Sequence, residues 1–191
     1  MNIEIDRTFN GDYDCQVLGE IPSGSAVSHY LPQHQTGVGQ DGILLRISPR
    51  DTSAWIGLFS SVKKYPGTPS RILFTPNPNT ICVICSGDAV ITDVTSPDRS
   101  TLLDFEPITD AVAVKERKMI VFAGFTKLMA FDGSNVVMWE TSRIAWDELK
   151  ITSINPSSIF GEYWDVATEK QVQFEVDLDT GEVNGAIDQP F

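Results

Sequence analysis

The feature that most constrains the fold of this chain is a repeat of about 40 residues. Three apolar runs, ICVICSG, IVFAGF and IFGEYW, begin 39 positions apart at Ile81, Ile120 and Ile159. Each run has one strand-like segment before it and another behind it. Units of about four strands at this period are typical of propeller blades, which stack because one small sheet cannot bury both of its faces alone. The glycines near the ends of the runs are spaced 37 apart, at Gly87, Gly124 and Gly161.

We therefore predict an all-β fold of propeller-like repeats, each a three- to four-stranded antiparallel sheet, in one domain spanning residues 1–191. The alternative is a β-sandwich built from the same meanders. The predicted full repeats are residues 71–105, 110–142 and 149–187. Residues 43–70 form a partial repeat, and residues 1–42 form an irregular N-terminal arm.

Further secondary-structure patterns lie outside the three apolar runs, and those of the N-terminal arm bear on how the array closes. In the N-terminal arm, IEIDRTF, YDCQVL and the segment from Ala26 to Leu31 have strand patterns. One helical pattern occurs in the chain, in SRIAWDEL, where Ser142 would cap a short helix. Closed propellers usually need four or more blades. The array therefore either takes a blade from the N-terminal half or stays open and closes by pairing with another copy, as a homo-oligomer.

The charge of the chain limits its partners. It has 14 basic and 26 acidic residues, a net charge of −12, so we expect neither nucleic acid nor an anionic membrane as a partner. No segment approaches the ~20 apolar residues of a membrane span. The start, MNIEIDRTFNGDYD, is acidic, unlike a secretory signal. The 3 cysteines are an odd number without a disulfide framework, so we expect a cytoplasmic protein.

Three motifs that resemble chemical sites are better explained as structure. Gly37, Gly39 and Gly42 spell GxGxxG, but no strand precedes them and the strand-like ILLRI follows, which indicates loop glycines. Cys82 and Cys85 form a CxxC inside an apolar strand, where residues three apart point to opposite faces. The segment DLDTGE fits a hairpin turn better than a calcium loop. We therefore predict no cofactor, no metal and no catalytic residue set.

The alternative function is a hydrolytic or metal-dependent enzyme that uses polar residues of the N-terminal arm. His29 and His34 are five positions apart, and Asp12 and Asp14 precede them. Such residues suit a metal site or, together with Cys15, a nucleophile–base pair. Their spacing fixes neither geometry, so the favoured interpretation is a non-enzymatic protein-interaction or scaffold module.

A candidate contact surface lies near the C-terminus, where residues 143–191 hold ten acidic and three basic residues. Buried tryptophans there would hold one blade against the next. Exposed ones would suit a protein partner with a basic surface, since charge steers the approach and the rings supply buried area. The candidate binding residues are Trp146, Asp147, Glu162, Trp164 and Asp165.

The second half of the chain resembles a family of uncharacterised bacterial proteins of similar length. The segments FAGFTKLMAF, MWETSRIAWDELKITSI, IFGEYWD and FEVDLDTGEVNG follow one another in the order of that family's VFADFT…LAW, W…SWDGL, G…WD and F.VDL.TG patterns. The match covers residues 70–185. It departs at Glu148, where the family often has glycine, and in having one glycine, Gly185, near the closing pair. The resemblance implies a stand-alone module of propeller-like repeats and assigns no catalytic residue.

Overall fold

The structure, a computed structural model, describes residues 3–32, 41–134, 136–147 and 149–185. Strands dominate these ranges, and the one helical element among them is a three-residue 3-10 helix, Lys115–Arg117. The prediction of an all-β, propeller-like fold is confirmed. In chain order the strands are β1 (Glu4–Asp6), β2 (Tyr13–Val17), β3 (His29–Leu31), β4 (Ile43–Pro49), β5 (Trp55–Phe59), β6 (Arg71–Phe74), β7 (Thr80–Cys85), β8 (Asp88–Asp93), β9 (Ser100–Leu102), β10 (Asp110–Val114), β11 (Met119–Ala123), β12 (Leu128–Phe131), β13 (Val137–Glu140), β14 (Lys150–Ile154), β15 (Ser158–Asp165), β16 (Lys170–Asp177) and β17 (Val183–Asn184).

These strands form four small sheets. The third sheet (β10-β11-β12-β13) and the fourth sheet (β14-β15-β16-β17) are antiparallel meanders of consecutive strands. The second sheet has the order β1-β6-β7-β8-β9, in which β1 pairs parallel with β6. The first sheet has the order β2-β4-β5-β3, in which β3 pairs parallel with β5. Short segments of the N-terminal arm therefore complete two sheets.

The 39-residue period is present in the structure. The second meander strands β7, β11 and β15 begin at residues 80, 119 and 158, and the isoleucine after each start is fully buried. The even spacing of the glycines, however, does not mark equivalent positions. Gly87 lies in the β7–β8 turn and Gly124 follows β11, whereas Gly161 lies inside β15. The glycines recur every 37 residues and the strand starts every 39, so they fall 7, 5 and 3 residues after the starts of β7, β11 and β15.

The predicted helix at SRIAWDEL is wrong for the residues that the structure describes. Residues 142–147 and 149 form an irregular connection between the third and fourth sheets. The backbone N–H groups of Ile144 and Ala145 both donate to the carbonyl of Thr126, 2.8 and 3.3 Å away, instead of to a helical neighbour. Both side chains are buried, so a tertiary contact outweighs the local helical preference.

The sheets stack face to face in chain order. One apolar core joins the first and second sheets to one face of the third, including Phe122 and Phe131. A second core joins the opposite face of the third sheet, including Val121, to the fourth sheet. Every residue of β7 and of β11 is buried, whereas β4 and β16 alternate between buried and more exposed residues. Strands β7 and β11 are therefore covered on both faces and β4 and β16 on one, whereas Val137 and Met138 of β13, at the edge of the third sheet, are exposed.

A similar buried hydrogen bond fastens each sheet to the next. Trp55 Nε1 donates to the Val94 carbonyl, Thr80 Oγ1 to that of Gly133, and Trp139 Nε1 to that of Leu178, each over 2.9 Å. The three acceptors lie within two residues of the ends of β8, β12 and β16. The stack therefore has a direction, with the donor always on the preceding sheet.

Candidate functional site

The outer side of the fourth sheet gathers an exposed tryptophan, a half-buried phenylalanine and two half-buried glutamates. Because alternate residues of a strand share a face, β15 directs Ile159 and Tyr163 into the core and Phe160, Glu162 and Trp164 outward. Their register partners on β16 are Glu175, Gln173 and Gln171, and Lys150 on β14 lies opposite Glu162. We call this surface the fourth-sheet face: Lys150, Phe160, Glu162, Trp164, Gln171, Gln173 and Glu175.

The fourth-sheet face combines an exposed indole with a small excess of carboxylates. Its indole, Trp164, is 44% exposed, whereas Trp55 and Trp139 are 8% exposed. Two carboxylates, Glu162 and Glu175, outnumber the one ammonium of Lys150. The sheet behind them is held by the packing of Phe174 against Gly161, where an added Cβ would overlap the Phe174 ring. The side chains therefore project from a rigid base.

The structure brings together two of the five predicted binding residues, Glu162 and Trp164. Asp165 ends β15, where Ala167 N donates to Oδ1 over 3.0 Å and Thr168 Oγ1 to Oδ2 over 2.6 Å. The Thr168 hydroxyl in particular, together with the Ala167 N–H, lowers the pKa of Asp165, which is the behaviour of a turn cap.

The remaining two predicted residues lie in the connection between β13 and β14. The Arg143 guanidinium lies over the ring of Trp146, 4.9 Å from its centroid, which is a cation–π contact. Trp146 is half-buried and Asp147 is exposed. The structure thus separates the five candidates into a sheet face, a turn cap and a loop pair.

The residues of the alternative, enzymatic interpretation lie at opposite edges of the first sheet. His29 is on β3 and Asp14 is on β2, with β4 and β5 between them. Three strand spacings correspond to about 14 Å. His29 contacts the Trp55 ring edge-on, with ring centroids 5.2 Å apart, and its Nδ1 is 3.6 Å from Asp98 Oδ1. Asp12 pairs with Arg50 at 3.1 Å. His34 lies outside the described residues.

The cysteines are buried structural residues. Cys82 and Cys85 lie in β7 and Cys15 in β2, all unpaired by disulfides. Burial raises the pKa of Cys15 to about 12 and also raises the pKa values of the other two thiols. A thiol with such a pKa is protonated at neutral pH and is a poor nucleophile or metal ligand. Among the described residues no group of three or more His, Cys, Asp and Glu is arranged to hold a metal ion.

The other two motifs also behave as structural elements where they can be observed. Asp177 Oδ1 accepts bonds from Asp179 N, Thr180 N and Thr180 Oγ1, each 2.9 Å long, which confirms DLDTGE as a hairpin turn. Gly37 and Gly39 lie outside the described residues. Gly42 precedes β4 and approaches the backbone of Phe59 so closely that a Cβ would be crowded against it.

Sequence reasoning missed a second open surface, on the outer side of the first sheet. Strand β4 sends Ile43, Leu45 and Ile47 inward, so its alternation ILLRIS was the available signal. A depression of about 220 Å³ beside Arg46 is lined by Asp14, Cys15, Gln16, Arg46 and Ser48. We call the outer side chains the first-sheet face: Asp14, Gln16, Tyr30, Leu44, Arg46, Ser48, Ile56 and Leu58.

Comparisons with known proteins assign no family to the chain. No family model and no curated protein matches the chain. A solved structure that is similar to it is the dihydro-heme d1 dehydrogenase NirN in complex with DHE, at 13% sequence identity and a TM-score of 0.48. The match covers 75% of this chain and 34% of that one, so the chain spans about a third of NirN. Among the described residues no helix has the length and apolar character of a membrane span.

Proposed function

We propose that the protein is a non-enzymatic interaction module that binds a basic protein surface through its fourth-sheet face. The observation that carries the proposal is the shared outward direction of Glu162 and Trp164 on one strand. Carboxylates steer a cationic partner toward the face, and an exposed indole offers both apolar area and a cation–π contact. The proposal narrows the five sequence candidates to these two and adds Phe160 and Glu175.

The enzymatic alternative has less support. His29 and the acids Asp12 and Asp14 would have to act together across the width of the first sheet, and Asp12 is already paired with Arg50. General-base catalysis needs its partners within hydrogen-bond reach, about 3 Å or one water apart.

The three unpaired, buried thiols support a cytoplasmic location as part of the proposal.

The test is a fluorescence anisotropy titration with a labelled octa-arginine peptide as the basic probe, at protein concentrations where light scattering gives the mass of one chain. The variant E162Q/E175Q removes the two carboxylates of the face, and W164A removes the indole. The matched control, E20Q/D51N, removes the same charge from two exposed acidic residues elsewhere. This control matters because a chain of net charge −12 attracts polyarginine non-specifically.

We expect E162Q/E175Q and W164A each to weaken the binding of the peptide by about tenfold, which corresponds to roughly 1.4 kcal/mol. The control should change the dissociation constant by less than about twofold. Equal weakening by E162Q/E175Q and E20Q/D51N would reduce the interaction to net charge and remove the proposed site.

A further inference from the structure

The two ends of the stack leave opposite faces uncovered. The first sheet packs its inner face on the second sheet, and the fourth packs its inner face on the third. Each of the first three sheets donates a hydrogen bond to the sheet that follows it in the chain. The fourth-sheet face is the side on which a following sheet would stack, and the described strands form no such sheet. The first-sheet face is the backward side of a sheet that has no predecessor there.

The chemistry of the two faces is complementary. Across the first-sheet face, Leu44 pairs with Leu58 and Leu58 with Tyr30, which makes an apolar row whose tyrosine is 45% exposed. In the next row the exposed Arg46 lies between Gln16 and the buried Ile56. Asp14, the one acidic residue of the face, pairs with Ser48 in the row beyond.

The fourth-sheet face offers what this row would contact. Phe160 and Trp164 present aromatic rings, and Glu162 lies between them on β15. Glu175 is the register partner of Phe160, so both carboxylates lie beside the aromatic residues. An arginine facing two glutamates and aliphatic side chains facing aromatic rings form the kind of contact that specifies an interface.

We propose that the partner of the fourth-sheet face is the first-sheet face of a second copy of this chain, where Arg46 would meet Glu162 and Glu175. Two copies then contact each other twice, through two identical interfaces related by a twofold axis. The result is a closed ring of eight sheets, which is within the range of known propellers. This inference rests on the proposed function, because it uses the same face and names its occupant.

The test is the mass of the full chain in solution, by light scattering at about 0.15 M salt, where repulsion between the acidic copies is screened beyond roughly 8 Å. We expect twice the chain mass of 21.1 kDa for the natural sequence. The variants R46E and E162R/E175R should each be single chains, because each places like charges in both interfaces of the ring.

An equimolar mixture of R46E and E162R/E175R should regain the doubled mass. One interface of the mixed ring then carries the exchanged charges, and the other carries the natural ones. Both variants alter exposed or half-buried side chains, so circular dichroism and melting temperature should match those of the natural sequence.

Three results would overturn this inference: a single-chain mass for the natural sequence, a doubled mass retained by each folded variant alone, or no recovery in the mixture. The octa-arginine titration separates these results from failure of the proposed function. If the natural protein stays a single chain but binds the peptide through Glu162 and Glu175, the proposed interaction function stands. The proposal that a second copy is the partner is then wrong.

Discussion

The central and terminal sheets of this stack differ in how their strands are buried. In the second and third sheets, β7 and β11 are buried along their whole length and read in sequence as continuous apolar runs. In the first and fourth sheets, β4 and β16 alternate, with one face in the core and one toward solvent. A strand covered on both faces has no room for polar recognition groups. The outer faces of the terminal sheets are therefore where β4 and β16 present polar side chains to solvent.

The comparison is tested most strongly by the same substitution in a central and a terminal strand. Phe122 on β11 is fully buried, and its ring centroid is 6.3 Å from that of Phe131. We expect F122A to lower the free energy of unfolding by about 3–5 kcal/mol, through lost burial and the cavity left behind. Phe160 on β15 is half-exposed, so F160A should cost about 1 kcal/mol or less. Urea denaturation of both variants measures the difference, and equal losses would contradict the division between sheets.

Removing a hydrogen bond between two sheets should have an intermediate effect on stability. Trp139 Nε1 donates to the buried Leu178 carbonyl over 2.9 Å and ties the third sheet to the fourth. W139F keeps most of the ring but leaves that carbonyl without its donor, which should cost about 1–3 kcal/mol. The control W164F alters an exposed ring and should change stability by less than about 0.5 kcal/mol. A W139F protein as stable as W164F would show that the bond does not hold the sheets together.

The smallest predicted effect is a change in the pH dependence of folding stability. Burial raises the pKa of Cys15 to about 12, whereas an unfolded cysteine titrates near 8.5. Above pH 8.5 the unfolded state loses the proton and the folded state keeps it, so stability falls as pH rises toward 12. We expect the loss between pH 8 and pH 9 to be smaller in C15A than in the natural protein, by roughly 0.5–1 kcal/mol. Denaturant midpoints at the two pH values measure it, and identical slopes would mean that the folded thiol titrates normally.

Sequence periodicity predicts the repeat well because the central strands are under the same constraint in each unit. The starts of β7, β11 and β15 keep the 39-residue spacing, and Ile81, Ile120 and Ile159 occupy the same buried place. The parallel pairing of β1 with β6 could not be predicted, since Glu4 and Arg71 are far apart in sequence and three-residue strands carry little pattern. Long-range edge pairing of this kind depends on tertiary context.

The candidate site was only partly predictable for a related reason. Aromatic and acidic residues could be located in the sequence, but whether a carboxylate faces a partner or its own turn depends on local geometry. Glu162 projects from a strand face, whereas Asp165, three residues later, accepts bonds from Ala167 and Thr168. The first-sheet face escaped notice because the outer side of β4 mixes Leu44, Arg46 and Ser48, a combination without a motif.

The central claim is that the outer faces of the terminal sheets are open while the packed faces of the central sheets are buried, and hydroxyl-radical footprinting of side chains tests it directly. The measurement uses dilute protein, at a concentration where light scattering gives the mass of one chain. We predict rapid oxidation of Trp164 and Tyr30, which are 44% and 45% exposed, and slow oxidation of Trp139 and Phe122. Protection of Trp164 and Tyr30 to the level of Trp139 in single chains would contradict the open stack and the sites placed on its ends.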